Sequence, residues 1–164
     1  MVIQDAKLVG KIYIGSGTVV HPKTLINAKD GEIQIGKNNI IEEGAVIENL
    51  GPEGHVMKIG DDNIFETFSI CQALEVGSNN VFGIKSEVGP GVEITDGCSI
   101  GAKCKVLMQE KLKPLNVVYG KQYTRRTASE KPQDHKSHLE FLRKVLPNYH
   151  MRIKNKEDGL TEKN

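Results

Sequence analysis

The sequence predicts a parallel β-helix built from hexapeptide repeats, followed by one amphipathic α-helix. The first observation is a period of six: between Val76 and Val106, an aliphatic or aromatic residue recurs at every sixth position. The second is the glycine that follows most of these residues, as at Gly77, Gly83 and Gly89. No α-helix buries one face at a period of six, and no single strand runs for this length. Short strands that turn a corner every six residues explain both observations.

The same period continues outside this stretch and divides the chain into coils of three hexapeptides. Each coil gives one inward-facing residue to each of three columns. The first inward column is Ile14, Ile35, Ile59, Val76 and Ile94; the second is Val20, Ile41, Phe65, Phe82 and Ile100; the third is Ile26, Ile47, Cys71, Val88 and Val106. We expect residues 1–120 to form the β-helix. Extra residues within 26–34 and 47–58 follow the third inward residue of their coils, so both insertions should project from one corner.

The C-terminal part of the chain has a different character. After Val106 the hexapeptide pattern lapses, and it returns once at residues 117–120. Residues 121–133 are polar and are interpreted as a linker, and residues 134–147 are predicted to be a helix that ends at its proline. The helix has one apolar stripe, expected to pack on the β-helix: Leu139, Leu142, Val145 and Leu146. Residues 148–164 are charged and are expected to be a flexible tail.

Three outward-facing columns follow from the alternation of strand residues, since the residue before each inward position should face out. The first outward column is polar: Tyr13, Gln34, Lys58, Glu75 and Glu93. The second is Val19, Ile40, Ile64 and Val81, then Ser99, and the third is Leu25, Val46 and Ile70, then Glu87 and Lys105. Long apolar columns on a surface mark something that becomes covered. The helix can cover one of them, and the other is the candidate partner interface; the sequence does not say which.

Composition excludes several classes of protein. The chain has 22 basic and 21 acidic residues, a balance without the basic excess typical of nucleic-acid binding. All three cysteines fall on positions expected to be buried, which suits a reducing compartment. Neither a basic and apolar leader nor an apolar run long enough to span a membrane is present. We therefore expect a cytosolic protein that does not insert into membranes.

The residues that could carry catalysis do not form a recognisable site. A zinc site between β-helices needs three converging ligands, and the coils offer only His21 at an outward position. His135, His138 and His150 lie around the helix. An acyltransferase needs a histidine as general base, for which His55 in the longer insertion is the only candidate. The glutamates form no pair at a spacing suited to acid–base work. The residues thus predict no catalytic, cofactor-binding or metal site.

Six runs of the sequence are distinctive: IGKNNIIEE (35–43), IGDDNIFE (59–66), VGSNNVFGIKSEVG (76–89), GCSIGAKC (97–104), RRTASEKPQ (125–133) and FLRKVLPNYH (141–150). Together they resemble the dynactin subunit 6 family. The hexapeptides are shared with many enzymes, so the specific part is LPNYH after the amphipathic helix. The resemblance extends from about residue 19 to residue 150 and implies that the β-helix is left-handed.

The resemblance also implies a function. It suggests a non-enzymatic subunit of the pointed-end subcomplex of dynactin, which supports dynein-driven transport on microtubules and the targeting of cargo or adaptors. Its implied partners are dynactin subunit 5, as a heterodimer, together with an actin-related protein and other pointed-end subunits. The implied location is cytoplasmic and cytoskeleton-associated, with no cofactor. Two alternatives remain open at this point: a metalloenzyme like the gamma-carbonic anhydrases, and a hexapeptide acyltransferase.

Overall fold

The structure is a computed structural model that describes the backbone of residues 1–160 and the side-chain surroundings of residues 1–148. It is a parallel β-solenoid of about six turns with one C-terminal helix. The predicted fold class is therefore confirmed. The six-residue period produces this fold because each two-residue strand has one outward and one inward side chain, and a four-residue corner separates it from the next strand.

Most strands of the solenoid are only two residues long. In chain order they are β1 (Lys7–Ile14), β2 (Val19–Val20), β3 (Leu25–Ile35), β4 (Ile40–Ile41), β5 (Val46–Glu48), β6 (Val56–Ile59), β7 (Ile64–Phe65), β8 (Ile70–Cys71), β9 (Glu75–Val76), β10 (Val81–Phe82), β11 (Glu87–Val88), β12 (Glu93–Ile94), β13 (Ser99–Ile100), β14 (Lys105–Val106), β15 (Lys111–Leu112), β16 (Asn116–Tyr119) and β17 (Thr124–Thr127). The helix is α1 (Lys136–Leu160).

The strands form two sheets around one core. A seven-stranded sheet has the order β17-β16-β13-β10-β7-β4-β2, and it carries the second inward column. A ten-stranded sheet has the order β14-β11-β8-β5-β3-β6-β9-β12-β15, with β1 beside β3, and it carries the first and third columns. The register pairs Val20 with Ile41 and Ile41 with Phe65, and the first and third columns align in the same way.

The two insertions lie at the corner between the first and third faces. There the eleven residues of β3 continue through the corner, with Lys29 in the left-handed region (φ 50°) and a shift in the register with β1, so β3 joins the two faces into one sheet. Residues from both insertions, including Asp30, Gly31, Gly51 and Pro52, line one shallow cavity. Both insertions thus project from one corner, as their position in the repeat predicted.

The predicted lapse after Val106 is wrong. Leu112 lies six residues after Val106 and six before Val118, and all three are buried. Leu112 pairs with Ile94 in the first inward column, and Val118 pairs with Ile100 in the second. The period was hidden in the sequence because the residues next to Leu112 are polar or proline. Leu112 alone marks the inward position of this hexapeptide.

Residues 121–133 are not a simple linker. Within them β17 pairs antiparallel with β16 and covers the edge of the seven-stranded sheet. All four residues of β17 are exposed, and an edge strand without a buried face shows no hydrophobic alternation in the sequence. Its detection depends on the register with β16, which the sequence pattern does not contain.

The helix is longer than predicted and contains Pro147 instead of ending there. A proline removes one backbone N–H from a helix and disfavours it by about 3 kcal/mol, yet it does not prevent the chain from continuing. Six of residues 151–160 favour helix, namely Met151, Arg152, Lys154, Lys156, Glu157 and Leu160, although Gly159 does not. The part of the predicted flexible tail at residues 148–160 is therefore helical backbone, and residues 161–164 lie outside the described residues.

The core contains a ladder of buried asparagines beside the second inward column. Asn39, Asn63 and Asn80 are almost completely buried. Their amide groups donate to carbonyls in the next coil, at Gly60, Gly77 and Thr95 respectively, over 2.8–2.9 Å. Their oxygens accept from backbone amides in the next coil, with Asn63 Oδ1 bonding Asn80 N–H at 2.9 Å. Each amide thus bridges two coils by two bonds and sets their spacing.

Candidate interaction surfaces

The described histidines are engaged with the backbone or partly buried. Among the described side chains, no group of three histidine, cysteine or acidic residues could hold a metal ion. His55 Nε2 donates to the carbonyl of Leu74 at 2.9 Å, which fixes the insertion loop, and His135 Nε2 donates to the carbonyl of Asp62 at 3.1 Å. His21 is half-buried, and that burial lowers its pKa from its usual value.

The acidic residues at the corners are engaged in holding adjacent turns. Glu42 Oε2 accepts from both the backbone amide and the hydroxyl of Thr67, each at 2.9 Å. Glu66 does the same for the amide of Ile84, also at 2.9 Å. A carboxylate that accepts a backbone N–H from the next coil works as a cap for that turn. These glutamates therefore have a structural role that explains their position.

The first outward column remains charged and open to solvent. Lys111 pairs with Glu93 at 2.8 Å, and Glu93 stacks above Glu75 in the ladder. Tyr13 at the other end of the column is 54% exposed. Exposed ion pairs of this kind contribute at most about 1 kcal/mol each, so this face has no strong tendency to be covered.

The helix covers the second outward column, which decides the question the sequence left open. Val19 and Ile40 are completely buried and form a hydrophobic cluster with Leu139 and Leu142. Ile64 and Leu146 pack against that cluster and are partly buried. Val19 and Ile40 were candidates for the partner interface, and they are instead inaccessible beneath the helix.

Val145 does not belong to the buried stripe, because it is 42% exposed. Successive helical residues are about 100° apart, which places Leu139, Leu142 and Leu146 within one sector of the helix. Val145 lies about 60° outside Leu142 on one side, so it reaches the flank of the helix and not its contact face. Its inclusion in the packing set was wrong for this geometric reason.

A row of polar contacts fixes the C-terminal segment along the corner beside this face. Lys131 Nζ donates to Asn79 Oδ1 at 3.3 Å, two coils away from the point where Arg143 Nη2 donates to Asn38 Oδ1 at 3.1 Å. His135 bonds the coil between them, at Asp62. The segment from Lys131 to Arg143 therefore runs along the solenoid axis, from later coils to earlier ones.

The third outward column has an apolar half that the helix does not cover. Leu25, Val46 and Ile70 are half-buried, and they belong to neither hydrophobic cluster of the described side chains. At the adjoining corner, Phe68 is 53% and Ile84 is 47% exposed. We call these five residues the open face.

Phe68 is an unusual member of the open face. Its φ of 58° lies in the left-handed region, which is uncommon for a bulky side chain. Its ring lies directly over Gly44, where a Cβ atom would come within 2.4 Å of the ring carbons. An aromatic ring held in this backbone conformation and still half-exposed is well placed to contact another molecule.

No protein-family model matches the chain. The fold is similar to that of a hexapeptide transferase family protein from Anaplasma phagocytophilum, with a TM-score of 0.61, 16% identity, and coverage of 94% of this chain and 90% of that one. The sequence is 44% identical to dynactin subunit 6 of Nematostella vectensis, over 92% of this chain and 86% of that protein. The sequence is also 41% identical to dynactin subunit 6 of Danio rerio, over 92% of this chain and 82% of that protein.

The chain belongs to the dynactin subunit 6 family. The likeness to the transferase is too distant to show more than the fold. The dynactin subunit 6 family is the one that the sequence runs resembled, so that prediction is confirmed. No helix among the described residues is long and apolar enough to cross a membrane.

Two features of this dynactin subunit 6 relative leave no pattern in the amino-acid sequence. The corner contacts of Lys131, His135 and Arg143 give no periodic signal, because they connect residues far apart in the chain. The exposure of Phe68 and Ile84 is also invisible, since both occupy corner positions that the inward and outward columns leave out. The available sign that Phe68 is unusual was the presence of an aromatic residue at a corner position where the backbone has a positive φ.

Proposed function

We propose that the protein is a non-catalytic structural and interaction subunit of dynactin. Its place would be in the pointed-end subcomplex, in support of dynein-driven microtubule transport and of cargo or adaptor targeting, at a cytoplasmic, cytoskeleton-associated location. The observation that carries the proposal is the open face, an apolar surface that remains after the helix has covered the similar column beside it. Membership of the dynactin subunit 6 family supplies the identity of the complex.

The open face is the proposed contact with dynactin subunit 5 in a heterodimer. Leu25, Val46 and Ile70 would lie at its centre, with Phe68 as an aromatic anchor at its edge. Large side chains held in place before binding lose little conformational entropy, which favours such residues as anchors. An actin-related protein and other pointed-end subunits are proposed to contact other parts of the surface, including Val81 beyond the helix.

A non-catalytic role is supported by the engagement of the polar residues that a catalyst would need. His55 and His135 bond backbone carbonyls, and Glu42 and Glu66 bond backbone amides. A general base requires a side chain free to accept a proton from substrate. We expect no bound zinc and no hydratase or acyltransferase activity; stoichiometric zinc in the purified protein would overturn this part of the proposal.

The interface is tested by co-expression with dynactin subunit 5. The double variant Val46→Lys with Ile70→Lys should reduce co-purification at least tenfold while the circular dichroism of the isolated chain stays unchanged. The matched control is Gln34→Lys with Glu75→Lys, which adds lysines to the polar first column and should leave co-purification intact. Retention of the partner by both double variants would place the interface elsewhere.

A further inference from the structure

The C-terminal end of the solenoid concentrates positive charge. Residues 103–126 contain seven basic residues and one acidic residue. The whole chain holds 22 basic and 21 acidic residues, so the remainder has 15 and 20. The basic residues are Lys103, Lys105, Lys111, Lys113, Lys121, Arg125 and Arg126. A balanced net charge of +1 therefore hides one basic end.

More than half of these charges have no acidic partner among the side chains that the structure describes. Ion pairs join Lys105 to Glu87, Lys111 to Glu93 and Arg125 to Glu110. The other four take part in none of the ion pairs of the described residues: Lys103, Lys113, Lys121 and Arg126. Uncompensated cations near one another attract an anionic partner and accelerate its association.

The same end presents an unpaired sheet edge. Glu87 N–H donates to the carbonyl of Cys104, and Gly89 N–H donates to the carbonyl of Val106. The backbone carbonyls of Cys104 and Val106 therefore point towards β11. Because alternate residues of a strand bond to opposite sides, the N–H and C=O of Lys105 and the N–H of Leu107 face away from the solenoid. Within residues 1–160 no further strand covers them, since β14 ends its sheet. On the neighbouring face, β17 already occupies the equivalent place.

A cavity of about 540 Å³ opens beside this edge. Its one acidic lining residue is paired with an arginine, and the full lining is Lys105, Leu107, Met108, Gln109, Glu110, Gln122, Tyr123 and Arg125. Leu107 is 50% and Met108 is 81% exposed. Tyr123 packs against the end of the core and provides a firm wall. An exposed methionine and leucine beside a fixed aromatic ring favour the binding of an apolar side chain.

We propose that this end of the solenoid binds an acidic, extended segment of a partner protein, which adds as a strand to β14. Its backbone pairs with Lys105 and Leu107, and one apolar side chain enters the cavity between Met108 and Tyr123. Its acidic side chains lie near Lys103, Lys121 and the other unpaired cations. Strand addition of this kind takes its affinity from main-chain hydrogen bonds and its specificity from side-chain pockets.

The combination of features favours a peptide over other anions. A nucleic acid would use the cations but neither the free strand edge nor the apolar cavity. An anionic membrane would likewise leave the directed N–H and C=O groups of Lys105 unsatisfied. This inference is independent of the open face and of the contact proposed there, so either can fail alone.

The test uses a fluorescein-labelled peptide, acetyl-(Glu-Val)4-amide, and the full-length chain, with binding followed by fluorescence anisotropy. We expect saturable binding that weakens several-fold when sodium chloride rises from 50 to 300 mM, because exposed charges are screened. The double variant Leu107→Asp with Met108→Asp should weaken binding at least tenfold, and its exposed sites leave the fold intact. Phe141→Asp, at an equally exposed apolar residue on the helix, is the matched control and should bind normally.

Further probes distinguish the occupants. A (Glu-Pro)4 peptide keeps the charge but cannot donate backbone hydrogen bonds at its prolines, so its binding should fall at least tenfold. Hydrogen exchange at the amides of Lys105 and Leu107 should slow in the presence of (Glu-Val)4. The proposal is overturned by absence of binding, by equal binding of (Glu-Pro)4, or by an unaffected double variant. Tighter binding of a 20-nucleotide single strand or of phosphatidylserine vesicles at the same residues would assign the site to that class instead.

Discussion

At the scale of single residues, the asparagine ladder shows what a corner position contributes. Asn63 is completely buried, donates to Gly77 and accepts from Asn80. The sequence marks such positions only as short residues between two apolar ones. Their hydrogen bonds depend on the coil that stacks above, so the bonds become visible only when the register between coils is known.

Asn63→Ala should therefore destabilise the solenoid strongly. The substitution leaves the buried amide of Asn80 without its partner, and a buried polar group left unpaired costs about 1–3 kcal/mol. It also removes one of the two bonds that the carbonyl of Gly77 accepts, the other coming from the amide of Gly60. Chemical denaturation followed by circular dichroism measures the free energy of unfolding. Glu53→Ala, at an exposed residue of the longer insertion, serves as the control and should lose clearly less. Equal losses in the two variants would show that the ladder contributes little.

At the scale of elements, the helix and the face beneath it form one unit. The apolar stripe of the helix was predicted from its spacing, as was an apolar column for it to cover. The choice between the second and third columns was not predictable, because both have similar composition. Polar contacts decide it: Arg143 reaches Gly17 at 2.8 Å and His135 reaches Asp62 at 3.1 Å on the corner beside the second column.

This unit should weaken in acid because of His21. Burial lowers the pKa of His21, and His138 on the helix lowers it further, while Glu42 and Glu43 oppose the shift. A histidine whose folded-state pKa is depressed binds fewer protons when folded than when unfolded. The contribution of neutral His21 to the stability of the fold is therefore complete above the unfolded-state pKa of about 6.5, and it is lost as the pH falls below that value.

We expect the melting temperature to fall between pH 7 and pH 5, and His21→Gln to reduce that fall. Thermal scans of both proteins across this range measure the difference. Lys11→Gln, at an exposed site far from the helix, is the control and should keep the pH dependence of the parent. An identical pH profile for the His21 variant and the parent would remove this histidine from the explanation.

At the scale of the whole molecule, the three faces of one repeating prism have separate roles. The inward columns, and hence the core, were readable from the period, because every coil repeats the same inward positions. The roles of the outward faces were not, since they depend on what lies over them. The first face is charged and solvated, the second carries the helix, and the third keeps an apolar surface with Val46 and Ile70.

This division predicts opposite outcomes for the same substitution on two faces. Ile40→Lys with Ile64→Lys places two charges beneath the helix and should displace it, exposing Leu139 and Leu142. Loss of that burial costs about 1.5–3 kcal/mol for each leucine, so at least about 3 kcal/mol in total. For a domain of this size, that corresponds to a melting temperature roughly 6–12 °C lower.

The matched variant on the third face, Val46→Lys with Ile70→Lys, should change the melting temperature of the isolated chain by less than about 3 °C, because its lysines reach solvent. Limited proteolysis adds a local measurement: cleavage between residues 136 and 148 should accelerate only in the Ile40 and Ile64 variant. If both variants melted alike, the helix would contribute nothing to the stability of the solenoid. The contacts of Leu139 and Leu142 with Val19 and Ile40 make the second face the one whose burial the isolated chain needs, whereas the third face is the proposed contact with a partner.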